Sequence, residues 1–263
     1  MSMQLGDLLS ELRENVLHDK SDQVAGASDY LWTDATLVRY IDEAHRRMAR
    51  RGLMIRDSTT ASVTQITTVN NQQFYPLDPS VLAVLSLQMV GDNQTLARAG
   101  YDAFNNYYTN VPDTMFFDPS QLSNMQPGKA VAWSTDQSVI ADPNGSWSVI
   151  NLTLYPVIAT PYDNIVGNMR VIRLPIERFS TANLTAYPEI PEDHHLDMLD
   201  WAAYLALRSV DTDVAGANAA ARAADFAARF EAHCQDARKE AMRKLFVPQQ
   251  WGFGRNGWSW ENG

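Results

Sequence analysis

Leu5, Leu8, Leu9, Leu12 and Val16 recur at the i, i+3, i+4, i+7 spacing of one helix face, with Asp7, Glu11, Arg13 and Glu14 off it. That pattern predicts a first amphipathic helix. Asp19–Asp29 is polar and contains Gly26, so it reads as a loop. Thr33 is then placed to cap a second helix, with Asp34 in the first turn where a carboxylate suits the helix dipole. Its inward positions are Leu37, Ile41, Ala44 and Met48. Arg46, Arg47, Arg50 and Arg51 then precede Gly52, a basic last turn followed by a glycine stop.

Beyond Asp57 the period shortens. Ala61–Val69 alternates, is rich in β-branched residues and predicts a strand, with a turn at Asn70-Asn71. Val81–Val90 is more continuously apolar, as expected of a strand buried on both faces. Trp147–Tyr155 and Asn164–Leu174 predict a strand pair joined by a hairpin-like return through Pro156–Asp163. Tyr101–Pro127 is aromatic and proline-bearing, a long loop whose makeup suits an interaction surface.

Helical periodicity returns after Pro191, with Glu192 and Asp193 in the first turn. Leu196, Leu199, Ala203, Leu207 and Val210 form its inward stripe. Asp211-Thr-Asp213 interrupts it, and a further helix, alanine-rich on one side, spans Val214–Phe246. Pro248 is expected to end that helix. Residues 3–52 and 192–246 are each too short to build a stable core alone. The expected fold is therefore α+β: a helical bundle formed by N- and C-terminal helices, an inserted β-rich, sandwich-like domain, and an extended C-terminal tail. The boundaries read as 1–56, 57–188, 189–246 and 247–263.

Composition narrows the class. A hydrophobic fraction of 45% and a charged fraction of 20% belong to an ordinary globular protein. The net charge of −10 argues against sequence-reading of nucleic acid, which needs clustered cations on phosphates. It leaves room for a wall past which DNA slides, since negative charge repels the phosphate backbone. No apolar run reaches the roughly 20 residues of a membrane span, and Met1–Asp7 lacks the features of a signal peptide, so residence in the cytoplasm until assembly is expected. Cys234 is the lone cysteine and reads as a packed thiol, which rules out an intrachain disulfide and a cysteine-based zinc cluster.

Catalytic chemistry finds little support. His194 and His195, flanked by Glu189, Glu192, Asp193 and Asp197, are the densest set of potential metal ligands. Adjacent helical side chains point about 100° apart, so the two imidazoles do not share one ion, and no His-Glu-x-x-His motif completes a site. No nucleophile elbow or phosphate loop occurs, so no catalytic, cofactor or metal residue is assigned. The C-terminal segment differs: Trp251, Phe253, Trp258 and Trp260 alternate with glycines around Arg255. Large aromatics lacking a local core favour an interface, so these five residues are the candidate partner-binding set.

Leu31–His45, reading Leu-Trp-Thr-Asp-Ala-Thr-Leu-Val-Arg-Tyr-Ile-Asp-Glu-Ala-His, resembles a segment of bacteriophage head-to-tail adaptor (connector) proteins. Arg56-Asp-Ser58, Arg170–Pro175, Pro188–Ala202 and Asp211-Thr-Asp213 are similar to that family's continuation. The resemblance implies a structural virion protein at the capsid vertex, forming a homo-oligomeric ring, commonly a dodecamer, below the portal protein. Such a ring extends the DNA channel and docks tail or nozzle proteins, while genomic DNA passes without sequence-specific binding. No enzyme activity, cofactor or membrane contact is implied. The competing expectations are a metal-dependent hydrolase using His194, His195 and Asp197, and a tail-tube or baseplate protein built around the β region.

Overall fold

The computed structural model describes residues 2–19, 30–92, 95–99, 126–136, 140–141, 147–148, 150–209 and 217–256, with side chains described only to residue 244 over the last stretch and not at 140–141 or 147–148. Of the features expected above, Lys20–Asp29, Tyr101–Met125, Val149, Val210–Gly216 (Asp211-Thr-Asp213 among them), Trp258 and Trp260 lie outside them. The chain divides into a helical unit, residues 1–55 and 174–263, and a β unit, residues 56–173.

In the helical unit, α1 (Leu5–Glu11) starts in a reciprocal cap between Gln4 and Asp7 and buries Leu5, Leu8 and Leu9. It continues as a wider π-helical turn, Leu12–Leu17, that ends on His18 in the left-handed region. Arg13, expected on the polar side, is instead buried. Its guanidinium is held by the Asp19 carboxylate at 3.1 Å, the Trp32 carbonyl at 3.1 Å and the Asp34 carboxylate at 2.5 Å, which together offset the cost of desolvating the charge. The second helix, α2 (Asp34–Gly52), is capped as expected: Thr33 Oγ1 accepts from the Thr36 N–H. Leu37, Ile41, Ala44 and Met48 all reach zero exposure. The stop is shifted by one residue. Leu53, not Gly52, takes the left-handed conformation, and Gly52 instead leaves room for the Met54 side chain, 2.8 Å from where a Cβ would stand.

The returning chain makes a 3₁₀ turn at Glu192–His194 and then α4 (Leu199–Arg208). Leu196, expected inward, is 53% exposed, because regular helix phase begins only at Leu199. The last helix, α5, runs Ala217–Asn256 and buries Ala223, Phe226, Phe230, Cys234 and Ala237. It packs on α4 and α2, and all three join one apolar core with α1. The expected end at Pro248 and an extended segment from 247 are corrected: the backbone stays helical to Asn256. A proline costs an established helix one bond and some strain, whereas propagation gains a bond at each later residue.

Among the described residues the β unit shows two larger antiparallel-dominated sheets and a small two-stranded one. Here β1 (Arg56–Asp57), β2 (Gln65–Thr67) and β4 (Val81–Met89) all pair with β10 (Val166–Arg173). The second sheet orders β3 (Phe74–Pro76), β9 (Asn151–Tyr155), β6 (Ala132–Asp136) and β5 (Ala97–Arg98), with β5 parallel to β6. The short strands β7 (Ile140–Ala141) and β8 (Trp147–Ser148) pair with each other. The expected hairpin between Trp147–Tyr155 and Asn164–Leu174 does not form. Its strands lie in different sheets, because the Thr160–Tyr162 turn carries the chain away and β10 finds its longest ladder on β4. Nor is β4 buried on both faces: Val81, Val84, Leu87 and Met89 are buried, while register shifts opposite β10 change which positions face inward. Ala61–Thr64 is a helical turn, α3, and only Gln65–Thr67 of the expected strand is extended. Apolar side chains from both sheets, among them Leu87, Trp133, Leu152, Leu154 and Val171, share one cluster. The class is mixed α and β.

Candidate functional site

Several of the described residues that carry the adaptor resemblance act as joints. Trp32 is buried with its indole N–H directed at Ser209 Oγ, 3.3 Å away. Asp42 accepts from the Phe179 N–H at 3.0 Å and from Arg178 Nη1 at 2.5 Å, tying α2 to the incoming chain. Three residues on, His45 stacks on Phe179 with centroids 4.9 Å apart, and its Nε2 accepts from the Glu189 N–H at 3.1 Å. Burial drives the His45 pKa down to about 4, against the opposing pull of Glu189 and Asp42.

In the β unit Asp57 plays the same part. It accepts from Arg173 Nε at 2.6 Å and from the Thr59 and Thr60 N–H groups at 2.8 and 3.0 Å. Burial opposes its charge, but these donors outweigh burial and hold its pKa well below the usual carboxylate range. They also fold Thr59 and Thr60 into the start of α3, which is why the alternating sequence after Asp57 is not wholly strand.

The histidines expected to splay do so. His195 turns inward at 2% exposure, with Nε2–H donating to the Ile190 carbonyl at 3.1 Å and Nδ1 accepting from the Met3 N–H at 3.3 Å. His194 faces the other way and meets Asp197 at 3.0 Å. What the sequence did not disclose is the partner across the helix pair. His233 of α5 lies 3.5 Å from Asp197 and 3.6 Å from Asp200, and the Asp200 pKa is raised by burial despite Arg229 and His233. The one legible hint was the run His233, Asp236, Glu240 along one face of α5. Among the described residues no three such side chains converge on a point a metal could occupy.

Of the five partner-binding candidates, Trp251, Phe253 and Arg255 fall on the backbone of α5; Trp258 and Trp260 lie outside the described residues. The surface that stands out is on α2. Arg39, Arg46, Arg47, Arg50 and Arg51, with Arg178, line an open groove of about 540 Å³ that also contains Asp42 and Glu43. Three of these arginines are used internally, Arg178 being the one already paired with Asp42. The Arg47 guanidinium lies 3.7 Å over the Trp201 ring, and Arg51 meets Glu231 of α5 at 2.7 Å. Arg39, Arg46 and Arg50 form no ion pair with a described residue. The Arg46 pKa is lowered by burial and then by the neighbouring Arg178, with Asp42 pulling the other way. Positions 46, 47, 50 and 51 stand out in the sequence as a basic turn, whereas Arg39, seven residues before Arg46 on the same face, and Arg178, which has no local signal, do not.

No curated protein matches this chain. A family match, by contrast, covers residues 3–250 and so spans Trp32, Asp42, His45, Asp57 and Arg173. With those joints and nearly the whole chain inside the match, this protein belongs to the SU10 adaptor protein family.

Proposed function

We propose that this chain is the head-to-tail adaptor of a phage virion, assembling as a ring, commonly a dodecamer, below the portal protein. The ring extends the DNA channel and offers tail or nozzle proteins a docking platform. Its place is the capsid vertex, reached from the host cytoplasm during assembly. The observation that carries this reading is the family match over residues 3–250. Support comes from the use of the motif residues as joints, which suits a protein whose task is to hold shape. His194 and Asp197 are in contact with each other and His195 is taken up in backbone hydrogen bonds, which disfavours the hydrolase reading.

In this reading Trp251, Phe253, Arg255, Trp258 and Trp260 anchor the chain to the portal or to a neighbour, and DNA passes an acidic or neutral lumen from which the α2 arginines are turned away. Among the described residues no helix is long and apolar enough to cross a membrane.

The experiment is electron microscopy of the purified chain mixed with its portal protein. The expected result is a closed ring coaxial with the portal. Particles that stay monomeric and leave the portal bare would reject the reading.

A further inference from the structure

We propose that the arginine groove on α2 is one half of a joint between copies of this chain, its occupant being the acidic face of α1 from the neighbouring subunit. This rests on the ring reading above. With Arg178 paired to Asp42, Arg51 to Glu231 and Arg47 laid over Trp201, Arg39, Arg46 and Arg50 remain in the groove for an acidic partner, and on a chain whose net charge is −10 such a surface is plentiful on a second copy. Arg39 and Arg50 are exposed, and the buried Arg47 Nε has no hydrogen-bond acceptor.

The occupant is picked out by position and spacing. Asp7, Glu11 and Glu14 lie opposite the buried stripe Leu5, Leu8, Leu12, and none of the three forms an ion pair with a described residue. Among the described residues Asp7 accepts from the Gln4 N–H and Glu11 from the Asn15 amide. The four-residue step from Arg46 to Arg50 and that from Asp7 to Glu11 both advance about 6 Å along a helix axis, so carboxylates can meet guanidiniums in register. A phosphodiester backbone fits less well, because Glu43 sits on the exposed rim between Arg39 and Arg46 and would repel a continuous line of phosphates. Groove and stripe are different patches on one unit. Their pairing is therefore head-to-tail, the kind that closes into a ring when the rotation allows.

The test is a charge swap in the full-length chain, read by mass photometry and sedimentation with and without the portal protein. One variant carries Arg39→Glu and Arg50→Glu; the other carries Glu11→Arg and Glu14→Arg. All four side chains lie outside the apolar core, and circular dichroism checks the fold; Arg39→Gln with Arg50→Gln serves should the reversals unfold it. Each variant alone should self-associate at least about tenfold more weakly than wild type, because like charges then face each other. An equimolar mixture should regain assembly, since each variant's altered patch meets an opposite charge on the other.

Variants that assemble separately like wild type overturn the joint and leave the ring reading standing. A wild-type chain that is monomeric even with the portal overturns both. Loss of binding to a short DNA duplex in the arginine variant, with self-association intact, would make the groove a phosphate site and also overturn the joint.

Discussion

Acidification from neutral pH should weaken the helical unit through His45, and the size of the effect follows from its surroundings. His45 is 1% exposed, stacked on Phe179, and its Nε2 is taken by the Glu189 N–H, so a proton there would create a buried cation that displaces a hydrogen bond. Its folded pKa is lowered from 6.5 to about 4. The sign follows from that direction. Above pH 6.5 both folded and unfolded chains carry neutral imidazole, and the stability is fully present. Between 6.5 and about 4 the unfolded chain binds the proton and the folded chain does not, so stability falls as pH falls. At about 1.4 kcal/mol per pH unit, the loss across that window approaches about 3 kcal/mol. Below it the dependence on this group flattens. His195 is shifted the same way by burial, so the measurement must be a difference. Urea unfolding followed by far-UV circular dichroism, stepped through the window, should be run on wild type and on His45→Gln. Glutamine keeps an acceptor for the Glu189 N–H and cannot be protonated. The variant should be less steeply acid-sensitive by about 1 kcal/mol per pH unit. If wild type and variant lose stability in parallel, His45 is not held neutral and the reasoning fails.

Three further outcomes are expected. Asp57→Ala removes the acceptor for Arg173 Nε and two backbone N–H groups, and should cost roughly 3 kcal/mol in the β unit, read as a lower urea midpoint. In wild type that contribution is present above the ordinary carboxylate pKa of 3.8 and is lost only below it, clear of the His45 window. Cys234, 3% exposed and with its thiol pKa pushed up to about 12 by burial and then by Glu231, should resist aromatic disulfide reagents in the native protein and react fully in urea; rapid native labelling would contradict this. Deleting residues 249–263 should leave thermal unfolding of the monomer nearly unchanged while weakening attachment to the portal, and a truncated chain that loses its fold would place the segment in the subunit's own core.

Local pattern was enough wherever a segment is organised by its own periodicity. Thr33, Leu37, Ile41, Ala44 and Met48 each landed as spacing required, because an amphipathic helix encodes its cap and its buried face within one stretch of chain. It was insufficient where a distant group decides. Arg13 reads as solvated until Trp32 and Asp34, about twenty residues on, supply acceptors. The partners of β9 and β10 depend on distant strands, as far off as the pairing of Arg56 with Ile172, and both candidate strands were apolar enough to suit either sheet. The same divide runs through the candidate site. The Arg46–Arg51 cluster was visible in the sequence, but its division into arginines committed to Trp201 and Glu231 and arginines left unpaired follows from the packing of α2 against α4 and α5.

Because the helical unit is assembled from both ends of the chain, its birth on the ribosome is interrupted. α1 and α2 emerge early with Leu5, Leu8, Leu37, Ile41 and Met48 seeking burial, yet the residues that complete their core, Trp201, Phe226 and Phe230 among them, are translated only after the whole β unit. At about 5–20 residues per second that wait lasts roughly 10–40 s, long enough for the contiguous β unit to fold first. Throughout that interval the nascent chain displays an uncovered leucine-rich surface, so the time of greatest exposure to chaperones and to neighbouring nascent chains falls before the last quarter of the protein has been made.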